Sequence, residues 1–98
     1  MLLAFTFYHG ERTDMMRAKV RCNQVTDFGG NAQEVKFSPV AAKLYPADGT
    51  DEDNTYAKWS PSGEFKLTIT NPALHGKIKP GMVFYVDFAE VIEIPVQA

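Results

Sequence analysis

Cysteine is scarce in this 98-residue chain, and its scarcity excludes two kinds of site. Cys22 is the only cysteine, so the chain can form no internal disulfide and no zinc site built on a cysteine pair. The glycine-rich phosphate loop, the dinucleotide-binding fingerprint and the nucleophile turn of hydrolases are all absent. The acidic residues at 48–53 do not fit the spacing of a calcium-binding loop. The sequence therefore predicts no catalytic residue, metal site or cofactor, and we expect a protein that is not an enzyme.

The chain also lacks a strong excess of either charge and any long apolar run. Ten basic and twelve acidic residues give a net charge of -2, so general attraction to nucleic acid is not expected, although a local basic face is compatible with it. The apolar stretch at residues 1–8 is much shorter than a membrane span and lacks the basic start of a signal peptide. A small chain without disulfides is typical of a reducing compartment. We expect a cytoplasmic protein that makes no membrane contact.

The dominant pattern is a two-residue alternation of apolar and polar side chains, which is typical of half-buried strands. The Gly-Gly-Asn sequence at 29–31 is a turn signal, so residues 16–38 are predicted to form a β-hairpin. Residues 57–59 fit a further short strand, and residues 91–96 fit an edge strand. The alternating segments are residues 16–23, 34–38, 64–70 and 82–88.

Turn residues separate these segments and set the fold class. Asn71 and Pro72 are suited to begin a single helical turn, and Gly76 is suited to end it. Five or six short strands joined by tight turns predict an all-β protein, most simply a small antiparallel barrel of OB-like or SH3-like type with one short helical turn. We expect one barrel domain over 16–98, preceded by residues 1–15 as an N-terminal extension or an extra strand. The predicted core is Val20, Cys22, Val35, Phe37, Phe65, Leu67, Ile69, Phe84, Val86 and Phe88.

Four segments together resemble a group of small, uncharacterised proteins encoded by tailed bacteriophages. They are MRAKVRC at 16–22, VKFSPV at 35–40, PSGEFKLTITNP at 61–72 and KPGMVFYVDF at 79–88. The resemblance covers residues 15–90, and the first 15 residues depart from it. It implies a viral origin, the host cytoplasm as the place of action and an accessory role. It carries over no catalytic residue.

Basic side chains on the outward face of the predicted sheet suggest a nucleic-acid interface. Tyr85, on the same face, would add a surface for base stacking, as in the barrels that hold single strands. The alternative is that these side chains only solvate the sheet and discourage edge pairing. The candidates are Arg17, Lys19, Arg21, Lys36 and Lys66.

Apolar side chains on that same outward face favour protein binding instead. Val83 and Tyr85 occupy positions that would otherwise be wet, and Ile92 and Ile94 form an apolar row near the end of the chain. Apolar residues on both faces of a strand indicate that a second surface is covered, either by the chain's own N-terminal strand or by a partner chain. We therefore expect a non-enzymatic binding module whose partner is a host or phage protein or a second copy in a homodimer. A single-stranded nucleic-acid-binding, OB-like domain is the alternative.

Overall fold

Four antiparallel strands form a single sheet in the computed structural model, which describes residues 11–92 and the side chains of residues 15–92. The strand order is β3-β2-β1-β4, so β3 and β4 lie at opposite edges and the sheet curls into half a barrel. The predicted all-β, antiparallel class and the single helical turn are confirmed. The elements are β1 (Glu11–Gly29), β2 (Ala32–Pro39), β3 (Phe65–Ile69), a 3-10 turn (Pro72–Leu74) and β4 (Val83–Ile92).

Strand β1 is 19 residues long because it serves two neighbours in succession. Its first part pairs with β4, from Glu11 opposite Ile92 to Arg21 opposite Val83. Its second part pairs with β2. A register shift after Cys22 changes the phase of the alternation, and it keeps the apolar Val25 opposite Val35.

The predicted hairpin over 16–38 is confirmed, and its turn explains the local sequence. Backbone φ angles are positive at Gly29 (82°), Gly30 (61°) and Asn31 (65°). Glycine adopts such angles without steric cost, and asparagine tolerates them better than most residues. The chain therefore reverses between β1 and β2 over these three residues.

The core lies on the inner, concave face of the sheet and is small. The Phe37 ring packs against Phe65 and Phe84, with ring centroids 5.6 and 5.8 Å apart. Two predicted core residues are wrong: Leu67 is 45% exposed and Phe88 is 43% exposed. Leu67 lies on an edge strand, and Phe88 lies on the other edge strand, where little covers the inner face. The buried apolar residues are Val20, Cys22, Val35, Phe37 and Ile69.

The segment between β2 and β3 contains no strand, so the predicted strand at 57–59 is wrong. The segment instead covers the edge of β1 that β2 leaves exposed. The fully buried Asn54 accepts a hydrogen bond from the Lys19 N–H (2.9 Å) and donates one to the Val40 carbonyl (2.8 Å). The Thr55 N–H donates to the Arg17 carbonyl at 3.0 Å, and the Thr55 hydroxyl accepts from the Arg17 N–H at 2.8 Å. Side-chain and loop groups thus replace a neighbouring strand.

The sheet remains a single layer, and this leaves much surface exposed. Among residues 11–92, no second sheet packs against it. Six large apolar side chains of the two edge strands are exposed as a result: Leu67 on β3, and Val83, Tyr85, Phe88, Val91 and Ile92 on β4.

Candidate interaction surfaces

The outer, convex face of the sheet carries a network of charged and aromatic side chains at the β1–β4 pairing. Arg17 lies opposite Asp87 and Lys19 lies opposite Tyr85. The Arg17 guanidinium makes two hydrogen bonds to the Asp87 carboxylate, at 2.6 and 3.1 Å, and its central carbon lies 4.2 Å from the centroid of the Tyr85 ring. The hydrogen bond to Asp87 raises the pKa of Arg17. Arg17 is therefore held flat against its own sheet.

Asp53 joins the loop before β3 to this network. Its carboxylate accepts a hydrogen bond from the Tyr85 hydroxyl at 2.8 Å and lies 3.4 Å from the Lys19 ammonium. The hydrogen bond from Tyr85, followed by that from Lys19, lowers the pKa of Asp53. The same bond to Asp53 raises the pKa of Tyr85. The loop is thus attached to the outer face by polar contacts as well as to the edge of β1.

Carboxylates accompany three of the five basic candidates for a nucleic-acid interface. Arg17 is paired with Asp87 and Lys19 with Asp53, as described above, and the Lys66 ammonium lies 4.0 Å from a Glu34 carboxylate oxygen. Lys66 also lies opposite Lys36 on the neighbouring strand. Across residues 15–92, no ion pair joins Arg21 or Lys36 to a carboxylate. The basic residues therefore do not form one continuous positive stripe.

Three of the four apolar interface candidates are on strand β4 and are exposed. Val83, Tyr85 and Ile92 have exposed fractions of 41%, 52% and 43%. Tyr85 is also engaged in the outer-face network. Ile94 lies outside the described residues. Phe88 and Val91, which were not candidates, are exposed on the same strand, so the apolar surface of β4 is larger than the sequence predicted.

One side of β4 faces away from β1, and we call it the β4 edge. No strand among residues 11–92 pairs with it. Natural edge strands are usually protected by lysine, proline, bulges or short length. Strand β4 has ten residues, contains no lysine, arginine or proline, and its only charged residues are Asp87 and Glu90. The β-bulge in the β1–β4 pairing places its extra residue on β1, so β4 itself has no bulge. The β4 edge is a suitable template for a further strand.

A shallow apolar cleft lies beside β4 on the concave face. Its volume is about 170 Å³. Its floor is formed by β1 and β4, and Tyr56 with residues 62–64 forms one wall. Phe88 extends from the cleft to the β4 edge, so the two features are continuous. The apolar lining comes from Met16, Ala18, Val20, Pro39, Phe65, Val86 and Phe88.

Groups suited to catalysis are not assembled in the described part of the chain. Cys22 is buried in the core, where the alternation placed it. The His75 ring nitrogen Nε2 lies 3.3 Å from an Asp27 carboxylate oxygen but makes no hydrogen bond with it. Among these residues, no three histidine, cysteine, aspartate or glutamate side chains lie together as metal ligands would.

Comparison with known proteins does not add to this description. Family models, curated proteins and solved structures gave no match to the chain. Within residues 11–92, no helix has the length and apolar character needed to cross a bilayer.

Proposed function

We propose that this protein is a non-enzymatic binding module that acts through protein–protein contact, self-association included, at the β4 edge and the adjoining cleft. The observation that carries the proposal is the composition of β4. A ten-residue strand at the edge of a sheet carries exposed apolar side chains on both faces and no lysine, proline or bulge. Such an edge gains main-chain hydrogen bonds and apolar burial together when it receives a strand.

Charge on the outer face favours protein over nucleic acid as the partner. Nucleic acid is held through several phosphate contacts by basic side chains. To bind phosphates, Arg17 would have to leave Asp87 and Lys19 would have to leave Asp53. The two carboxylates would then repel the phosphate backbone of the nucleic acid. The chain as a whole is slightly acidic. Binding of single-stranded nucleic acid therefore remains the alternative hypothesis, which the experiment below distinguishes from protein binding.

The biological setting is a proposal that rests on the sequence resemblance. We propose an accessory protein of a tailed bacteriophage that works in the cytoplasm of its bacterial host. A barrel of five or six strands, of OB-like or SH3-like type, is likewise proposed, since the four described strands curl into an open part of one. The further strand or strands would be added beside β3, so that the β4 edge stays open.

A capture experiment tests the protein-binding proposal. The tagged full-length chain is incubated with nuclease-treated lysate of bacteria that also make the untagged chain. The Val91→Lys variant places a charge at the β4 edge, and Leu44→Lys places the same charge on a highly exposed loop residue as a matched control. We expect a retained protein, either a host protein or the untagged chain, that Val91→Lys releases and Leu44→Lys does not.

Two results would overturn this proposal. One is recovery of nucleic acid alone, from lysate without nuclease, in a form that is released by salt and weakened by Arg21→Ala or Lys36→Ala. The other is retention of protein that Val91→Lys and Leu44→Lys leave equally unchanged, because the β4 edge would then take no part.

A further inference from the structure

We propose that the strand added at the β4 edge is β4 of a second copy of this chain, antiparallel to the first, with the twofold axis passing beside Phe88. The result would be one continuous eight-stranded antiparallel sheet. This inference rests on the proposed function and names the partner at the same surface.

The hydrogen-bonding phase of β4 is the first support. On β1, the Cys22 N–H donates to the Met82 carbonyl and the Cys22 carbonyl accepts from the Gly81 N–H, whereas Lys19 bonds away from β4. Bonding direction alternates along a strand, so even-numbered residues of β4 bond to β1 and odd-numbered residues bond outward. Tyr85, Ala89 and Val91 thus present their backbone N–H and C=O groups to a second copy.

This phase limits the twofold register to axes that pass beside a single residue. When two identical strands pair across an axis perpendicular to their sheet, each outward-bonding residue must lie opposite another outward-bonding residue. Because these residues are odd-numbered, the numbers of any two opposed residues sum to an even value. Half of that sum is the number of the residue beside the axis. An axis beside Asp87 would place two Asp87 carboxylates opposite each other, and one beside Glu90 would do the same with Glu90. Like charges in direct opposition destabilise a sheet.

Of the axes that avoid both repulsions, the one beside Phe88 pairs the most strand. All nine residues from 84 to 92 then lie opposite a residue of β4 in the second copy. An axis beside Ala89 would instead place residues 83–85 opposite residues 93–95, which lie outside the described part of the chain. Tyr85 faces Val91 of the second copy, and Phe84 faces Ile92. The two Phe88 side chains meet at a pair without mutual hydrogen bonds, where side chains approach most closely. Aromatic and branched apolar pairs of this kind stabilise sheets.

The exposed apolar side chains of β4 are the second support. The interfaces of permanent homodimers are more apolar than those of transient complexes. Phe88 is 43% exposed and Val91 is 55% exposed, and the second copy would cover both. Joining the sheets beside Phe88 would also bring the two apolar clefts together, because Phe88 borders each of them.

A cysteine substitution tests the register directly. Phe88→Cys would place two thiols on α-carbons about 4.5 Å apart, within the range of a disulfide. Glu90→Cys is the matched control: Glu90 is also exposed on β4, but the two copies would lie roughly 14 Å apart. Under mild oxidation we expect Phe88→Cys to form a disulfide-linked dimer and Glu90→Cys to stay single. Wild-type chain controls for the buried Cys22.

A charge exchange at the same position tests association without cross-linking. Phe88→Lys and Phe88→Asp should each raise the dimer dissociation constant at least about 100-fold, as measured by sedimentation of the purified full-length chain. An equimolar mixture of the two should restore the dimer. Circular dichroism of each variant checks that the half-exposed position tolerates the change.

The outcomes separate this inference from the proposed function. A wild-type chain that sediments as a monomer at about 100 µM, or equal cross-linking of Phe88→Cys and Glu90→Cys, overturns the homodimer. If the capture experiment then still retains a host protein through β4, the proposed function holds with another partner. If neither experiment depends on β4, both proposals are wrong.

Discussion

Asn54 offers the sharpest test of how the loop is attached to the sheet. Its side chain is fully buried, and it satisfies three groups at once: the Lys19 N–H, the Val40 carbonyl and the Asp51 carboxylate. Replacing Asn54 by alanine removes all three hydrogen bonds. It leaves one backbone donor and one backbone acceptor without their partner at the edge of β1.

The cost follows from those two backbone groups. A buried polar group left without a partner costs about 1–3 kcal/mol, and partial access of water to the emptied site reduces this. We expect Asn54→Ala to lower the free energy of unfolding by about 2–4 kcal/mol. Because a domain of this size has only about 5–15 kcal/mol in total, the variant should fold but unfold at a clearly lower urea concentration.

Urea unfolding at a fixed protein concentration measures this loss, with circular dichroism reporting the sheet and Trp59 fluorescence reporting the loop. Asn71→Ala is the matched control, because the Asn71 side chain makes one exposed hydrogen bond, to the Ala73 N–H. That variant should lose at most about 1 kcal/mol. The reasoning would be refuted if Asn54→Ala were no more destabilising than Asn71→Ala.

Three further predictions follow from the loop, the outer face and the core. In urea unfolding, Gly49→Ala should destabilise the protein by about 1–3 kcal/mol more than Gly76→Ala. Both glycines have positive φ angles, 76° and 78°, but only at Gly49 would the new Cβ meet the Trp59 ring, at 2.5 Å. Equal losses of stability would contradict that contact. Folding lowers the pKa of Asp53, so the stabilisation from its carboxylate is present above the unfolded pKa and is lost as pH falls through the folded pKa. Below about pH 4, the free energy of unfolding should therefore fall less steeply with pH in Asp53→Asn than in the wild type. Parallel curves would argue against a stabilising role of the Asp53 carboxylate. The Cys22 thiol should react with a thiol reagent only after unfolding, and fast reaction in native buffer would show that it is not buried.

The sequence was sufficient to predict the four described strands, though not their exact ends, because their alternation reflects burial on one face. Val20, Cys22, Val35 and Phe37 follow that alternation, and all four are buried. The β1–β2 hairpin was predictable because its glycines and asparagine are typical of tight turns. The reasoning overestimated the core at Leu67, since alternation shows which face a residue lies on but not whether anything covers that face.

The attachments of the loop could not be predicted from local pattern. Asn54 lies in a stretch rich in aspartate, glycine and threonine that has the composition of a solvated loop. Its burial depends on Lys19 and Val40, which are distant in sequence. The same holds for Arg17, whose outward position was predicted but whose carboxylate partner, 70 residues away, was not. Such pairings depend on which strands become neighbours, and no two-residue period encodes that.

The pairing of the first strand with the last has a consequence for the order of folding. The β1–β2 hairpin closes over a few residues, whereas β4 can join β1 only after about three quarters of the chain has been brought into a closed loop, which is entropically slow. We expect β4 to dock late, so that substitutions within it accelerate unfolding more than they slow folding. The β4 edge would then be assembled only after the rest of the sheet had formed.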